Sequence, residues 1–179
     1  PLYSSAASDV YKRQIQEITK YIEANGGVVL DKNSAWIDQV EGVKHAFDLG
    51  FKRIAVSVAG FQAKSIHDIR KFEASEDVDV LVFSVCNTCV GKVNVPYIAK
   101  ADIACASASK ILREKIGNKV LLQLGVTIPV YALTEKGKRL VLAYLAEFKD
   151  KMMVFRTSKL PYNVKSRGPK LKEYNQKDQ

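Results

Sequence analysis

Methionine, histidine, cysteine and tryptophan are all scarce in these 179 residues, which hold two, two, three and one of them. Both methionines, Met152 and Met153, lie near the far end and the chain opens on Pro1, so the reading frame is expected to have begun upstream. Three cysteines are an odd and clustered set, which excludes the disulfide framework of a small secreted domain and points to a reducing compartment. His45 and His67 both fall in helical segments away from strand ends and read as surface residues. Long apolar runs are missing as well. The longest, such as 78–85 with Asp79 inside it, are strand-length, far short of the ~18 residues a membrane helix needs. No signal-peptide pattern opens the chain, which says little of a frame that began upstream. Gly91-Lys92 lacks the spacing of a phosphate loop, which excludes nucleotide binding by that route.

What is there begins with an oddity. The run Asp9-Val10-Tyr11-Lys12-Arg13-Gln14 is what GAT GTG TAT AAG AGA CAG encodes, and that string resembles a transposase adapter end. Residues 1–14 are therefore expected to be a translated scar, set aside from fold reasoning. The net charge of +9 is unevenly spread. From Lys149 onward nine basic residues face three acidic ones, while the stretch before it is nearly neutral. The basic tail, 151–179, reads either as a flexible, solvated terminus or as a dock for an acidic partner. Its tyrosines, Tyr162 and Tyr174, are too sparse for a stacking platform, which argues against nucleic acid.

Between these ends, 15–150 reads as one α/β domain. Ile15, Ile18, Tyr21 and Ile22 recur at helical spacing before Asn25-Gly26-Gly27. A short strand is expected at Val28-Leu30, then a helix capped by Ser34 with Trp36, Val40, Val43 and Phe47 inward. Arg53-Ile54-Ala55-Val56-Ser57-Val58-Ala59 is the near-continuous apolar run of a strand covered on both faces. A helix at 63–74, strands at 80–86 and 102–106, and a helix at 108–116 follow. Strands at 120–124 and 129–133 are too close for a helical crossover and must be antiparallel or nearly so. Thr134 caps a last helix. The alternation predicts a doubly wound, Rossmann-like, mainly parallel sheet with an antiparallel pair near its C-terminal end.

Several segments carry a family resemblance. Ile37-Asp38-Gln39-Val40-Glu41-Gly42-Val43-Lys44, Lys52-Arg53-Ile54-Ala55-Val56, Ala104-Cys105-Ala106-Ser107, Leu121-Leu122-Gln123 and Ile128-Pro129-Val130-Tyr131-Ala132-Leu133-Thr134-Glu135-Lys136-Gly137-Lys138 resemble the methanogenesis marker protein 8 family, in the same order across 15–148. The resemblance implies a cytoplasmic protein of a methane-metabolising archaeon or a relative, of unknown biochemical role, with a further N-terminal region. It assigns no catalytic residue. Cys86-Asn87-Thr88-Cys89 holds more thiols than the family pattern, and the tail is longer.

Chemistry in open α/β sheets sits outside the carboxyl ends of the strands. Two successive strands end here in Cys86-Asn87-Thr88-Cys89 and in Cys105-Ala106-Ser107. If neighbours, they bring Cys86, Cys89 and Cys105 to one rim, where thiolates hold zinc or an iron–sulfur centre or act as a dithiol redox pair. Buried, inert cysteine is the plain alternative. Ser107, Ser109 and Lys110 open a helix, as an anion site or simply as its cap. Asp38 and Glu41 face the polar side of theirs. Three roles stay open: a methanogenesis protein of unknown activity, a metal or thiol-redox enzyme, and an assembly factor whose basic tail binds an acidic protein partner. A second copy of the chain is a further candidate partner.

Overall fold

A computed structural model describes residues 15–32, 36–164 and 170–172. The expected scar, 1–14, and the expected cap, Ser34, lie outside them. The chain divides after Phe51 into two compact units.

The first unit holds helices α1 (Ile15–Ala24) and α2 (Gln39–Asp48). Gly26, at φ 79°, ends α1 in the left-handed conformation that glycine adopts at no steric cost. The strand expected at residues 28–30 does not form; this stretch is irregular. Three apolar residues with no ladder partner cannot make a strand. Helix α2 starts later than its apolar spacing suggested. Asp38 is its cap, with Oδ1 accepting from the Val40 and Glu41 amides at 2.8 and 3.0 Å. Trp36 thus precedes the helix and is exposed, and of the expected inward set only Val43 is buried.

The second unit is a mixed α/β domain around a five-stranded sheet. In chain order it holds β1 (Arg53–Ala59), α3 (Lys64–Ser75), β2 (Asp79–Val85), α4 (Val95–Ile98), β3 (Ile103–Cys105), α5 (Lys110–Lys115), β4 (Leu122–Leu124), β5 (Val130–Ala132) and α6 (Glu135–Glu147). The sheet order is β1-β2-β3-β5-β4. β1, β2 and β3 are parallel, and β5 runs antiparallel to both β3 and β4, so the expected antiparallel pair is present. One sheet face packs Ala104 with Ile98 of α4 and Leu112 of α5; the other packs Ile103 and Ala132 with Val141 of α6. Cys86 and Ala106 fall just beyond strands expected to include them.

An ionic cluster fixes the opposite end of the sheet from the candidate site. Asp102 is 1% exposed and accepts from Arg70 Nη2 at 2.6 Å, the Val82 amide at 2.8 Å and Thr134 Oγ1 at 2.6 Å. Glu73 accepts from Arg70, Lys136 and the Val80 amide, and Lys136 also pairs with Asp79. Burial alone would raise the Glu73 carboxyl. The Val80 amide, Arg70 and Lys136 outweigh it and hold the group below its ordinary range. A carboxylate with a depressed folded pKa contributes stability that is present above its unfolded value and lost as pH falls through the folded one. The Glu73→Gln variant is therefore expected to lose less stability than the parent between about pH 5 and pH 3. Urea midpoints across that range test this, and parallel curves would refute it.

Candidate active rim

Two backbone positions mark the C-terminal ends of β2 and β3. Cys86 follows β2 at φ 54°, and Ser107 lies just past β3 at φ 49°. For residues other than glycine this left-handed conformation costs roughly 1–3 kcal/mol, and it persists only where the surroundings enforce it.

Next to Cys86 lies Asn87, whose side chain is fully buried. Ser84 Oγ donates to its Oδ1 at 3.1 Å, and its Nδ2 donates to the Cys105 carbonyl at 2.9 Å. The amide therefore ties the end of one parallel strand to its neighbour. β1 ends against the same group: a Cβ on Gly60 would lie 2.5 Å from Asn87 Oδ1 and 3.2 Å from Asn87 Cα. Only glycine admits that approach.

With Cys86 left-handed and Asn87 buried, Cys86 and Cys89 remain at the surface. Both cysteines are exposed, Cys105 is half-buried, and all three are free. Thr88 lies half-buried between the first two. Ser107 Oγ approaches Cys105 Sγ at 3.7 Å. Among the described residues no group of three or more His, Cys, Asp or Glu side chains is placed to hold a metal ion. Cys105 also borders an open apolar groove of about 440 Å³ between the sheet and α6, lined by Phe83, Val85, Leu124, Val130 and Tyr144.

The stretch from Ser107 to Lys110 is built as a cap. Ser109, fully buried, accepts from the Leu112 amide at 3.4 Å. The Lys110 amide donates to the Lys172 carbonyl, and the Lys172 amide donates to Ala108 O at 2.8 Å, so a piece of the C-terminal segment lies against the helix start.

Sequence reasoning missed Arg113, 6% exposed on α5. Its Nη2 donates to the carbonyls of Ser107 and Thr127 at 3.0 and 2.8 Å, which braces the left-handed Ser107 from below. The signal was available: Ser109, Leu112, Arg113 and Ile116 share one helical face, and the charge among them points inward.

Among the described residues no helix is long and apolar enough to cross a membrane. The fold is a mixed α/β one, with Cys86, Cys89 and Ser107 just past the carboxyl ends of parallel strands. A family model described as "Uncharacterized protein conserved in archaea (DUF2099)" matches residues 10–146, and the chain belongs to that family. It is 39% identical over 143 residues to "Uncharacterized protein MJ0054" of Methanocaldococcus jannaschii, across 78% of this chain and 48% of that one. The chain thus spans about half the length of this curated relative. No solved structure matches.

Proposed function

We propose that this domain serves methane metabolism in the archaeal cytoplasm, as the likeness to methanogenesis marker protein 8 implies, and that its working site is the Cys86–Cys89 rim of a doubly wound sheet. The observation that carries this reading is the pair of left-handed residues at adjacent strand ends, Cys86 and Ser107, with the buried Asn87 tied to the Cys105 carbonyl between them. Backbone strain of this kind clusters at active sites and ligand clamps, which supports the reading.

The chemistry that fits is thiol–disulfide exchange with a disulfide substrate. One of the two thiolates attacks a substrate sulfur, forming a mixed disulfide and expelling the first substrate thiolate. The second cysteine, deprotonated, attacks the protein sulfur of that mixed disulfide. A Cys86–Cys89 disulfide forms and the second substrate thiolate leaves, so the substrate gains the two electrons the pair loses. Cys105, half-buried beside Ser107, stays outside the exchange.

The test is to equilibrate the protein anaerobically in glutathione buffers of graded potential, alkylate it, and count modified cysteines by mass. Cys86 and Cys89 are expected to lose alkylation together and regain it on reduction, while Cys105 alkylates throughout. In Cys86→Ser, Cys89 forms no intramolecular disulfide. Three thiols that alkylate at every potential would overturn the reading. So would stoichiometric zinc or iron that co-purifies and is lost in Cys86→Ser, which would assign the rim to a metal centre completed by further ligands.

A further inference from the structure

The same edge of the sheet carries a second arrangement, centred on the C-terminal segment. Leu160 packs against Ala106, Val120 and Tyr131. Pro161 rests on Gly117, where a Cβ would come within 2.3 Å of the proline ring. The Gln123 amide clamps the backbone of Tyr162: Nε2 donates to Tyr162 O and Oε1 accepts from Tyr162 N, both at 2.8 Å. Arg113 Nη1 donates to Asn163 Oδ1 at 3.3 Å. An apolar pocket, a floor without a side chain, a two-point backbone clamp and a cation in sequence are the parts of a peptide-binding cradle. The family match ends at residue 146, so the cradle's walls lie inside the shared part of the chain and its occupant lies outside.

Arg113 is poorly served by that occupant. Among the described residues its hydrogen-bond partners are all neutral oxygens, those of Ser107, Thr127 and Asn163. Its Nε has no hydrogen-bond partner among the described residues, and neither does the hydroxyl of the fully buried Tyr131. Burial raises the Tyr131 phenol while Arg113 pulls it down, so the cation's field reaches that hydroxyl. A buried cation without an anion is undercompensated, and a carboxylate makes a shorter and stronger bond to guanidinium than an amide oxygen does.

We propose that this cradle recognises an acidic peptide segment of a partner protein, whose carboxylate takes the place of Asn163 on Arg113, and that residues 160–163 are its resident, displaceable occupant. The partner segment carries Asp or Glu three residues after a leucine, the spacing of Leu160 and Asn163. The stretch from Lys149 onward, which carries this occupant, has nine basic residues against three acidic ones, and that charge steers the acidic partner in. The site is separate from the thiol rim and stands whether or not Cys86 and Cys89 exchange disulfides.

The test uses two labelled peptides of residues 157–164, one native and one carrying N163D, titrated against the full chain bearing L160S to loosen the resident segment. The N163D peptide is expected to bind about tenfold more tightly, because a charge-assisted bond replaces a neutral one. Its binding weakens with salt, and R113M erases the difference. A second measurement needs neither variant: N163D in the otherwise unaltered chain is expected to raise Tm. Equal affinities, no binding of either peptide, or a lowered Tm for the N163D chain would each overturn the proposal. Displacement of the N163D peptide by low-millimolar inorganic phosphate would overturn it too, by showing a small-anion site.

Discussion

Asp102→Ala is expected to lower folding stability by about 3–5 kcal/mol, the cost of breaking a buried ion pair by removing one partner. The carboxylate is buried and satisfies three donors from three elements: Arg70 of α3, the Val82 amide of β2 and Thr134 at the start of α6. Alanine would leave the Val82 amide without its acceptor and Arg70 with Glu73 as its remaining carboxylate. An unmade buried hydrogen bond costs more than a made one contributes, so the three losses compound. Asp102→Asn, which keeps the volume and one acceptor oxygen, is expected to fall between. Urea unfolding of the three proteins checks this. A loss under about 1 kcal/mol for the alanine variant would mean that the cluster behaves as a solvent-screened surface pair.

That cluster lies where the sequence was least informative. Arg70, Glu73, Asp79, Asp102 and Lys136 look like ordinary surface charges in a linear reading, because what joins them is parallel pairing. Residues 53 and 79 come into register, as do residues 83 and 103, and the helices following β1 and β5 cross the same end. Period and capping were legible, since both are local. Thr134 caps α6 as expected, its Oγ1 accepting from the Gly137 amide at 3.1 Å. The antiparallel return of β5 was legible from loop length alone. The first unit was less so. Asp38 took the capping role expected of Ser34, because a carboxylate on the residue just before the first turn reaches the Val40 and Glu41 amides.

At the rim, the sequence placed the cysteines and Asn87 at strand ends but could not show which side chain turns inward. That alternation depends on φ at Cys86, which a cysteine does not advertise. The contacts of Gln123 with Tyr162 and of Arg113 with Asn163 were not legible, because these partners are 39 and 50 residues apart. Ser107 was placed at its strand end as well, but not its contacts: its carbonyl accepts from Arg113 and its hydroxyl approaches Cys105 Sγ.

Gly137→Ala carries the second large expectation, and its sign opposes what helix propensity alone would give. Alanine is the better helix former by about 1 kcal/mol, so a glycine in the third position of α6 looks like a site for improvement. Here a Cβ would lie 2.2 Å from the Asp102 carbonyl oxygen and 2.8 Å from its carbon, both backbone atoms of a segment paired on two sides. Neither can yield, so α6 must move off β3, stretching the Thr134 cap and the Thr134–Asp102 bond with it. Overpacking of this kind costs typically 1–3 kcal/mol beyond any propensity gain, and a net loss of about 2 kcal/mol is expected. Gly42→Ala supplies the control. Gly42 lies inside α2 with nothing within 4 Å of its would-be Cβ, so the same substitution there is expected to stabilise by up to about 1 kcal/mol. Opposite signs for the two variants in one urea series would establish the close helix–strand contact, and a gain at both positions would refute it.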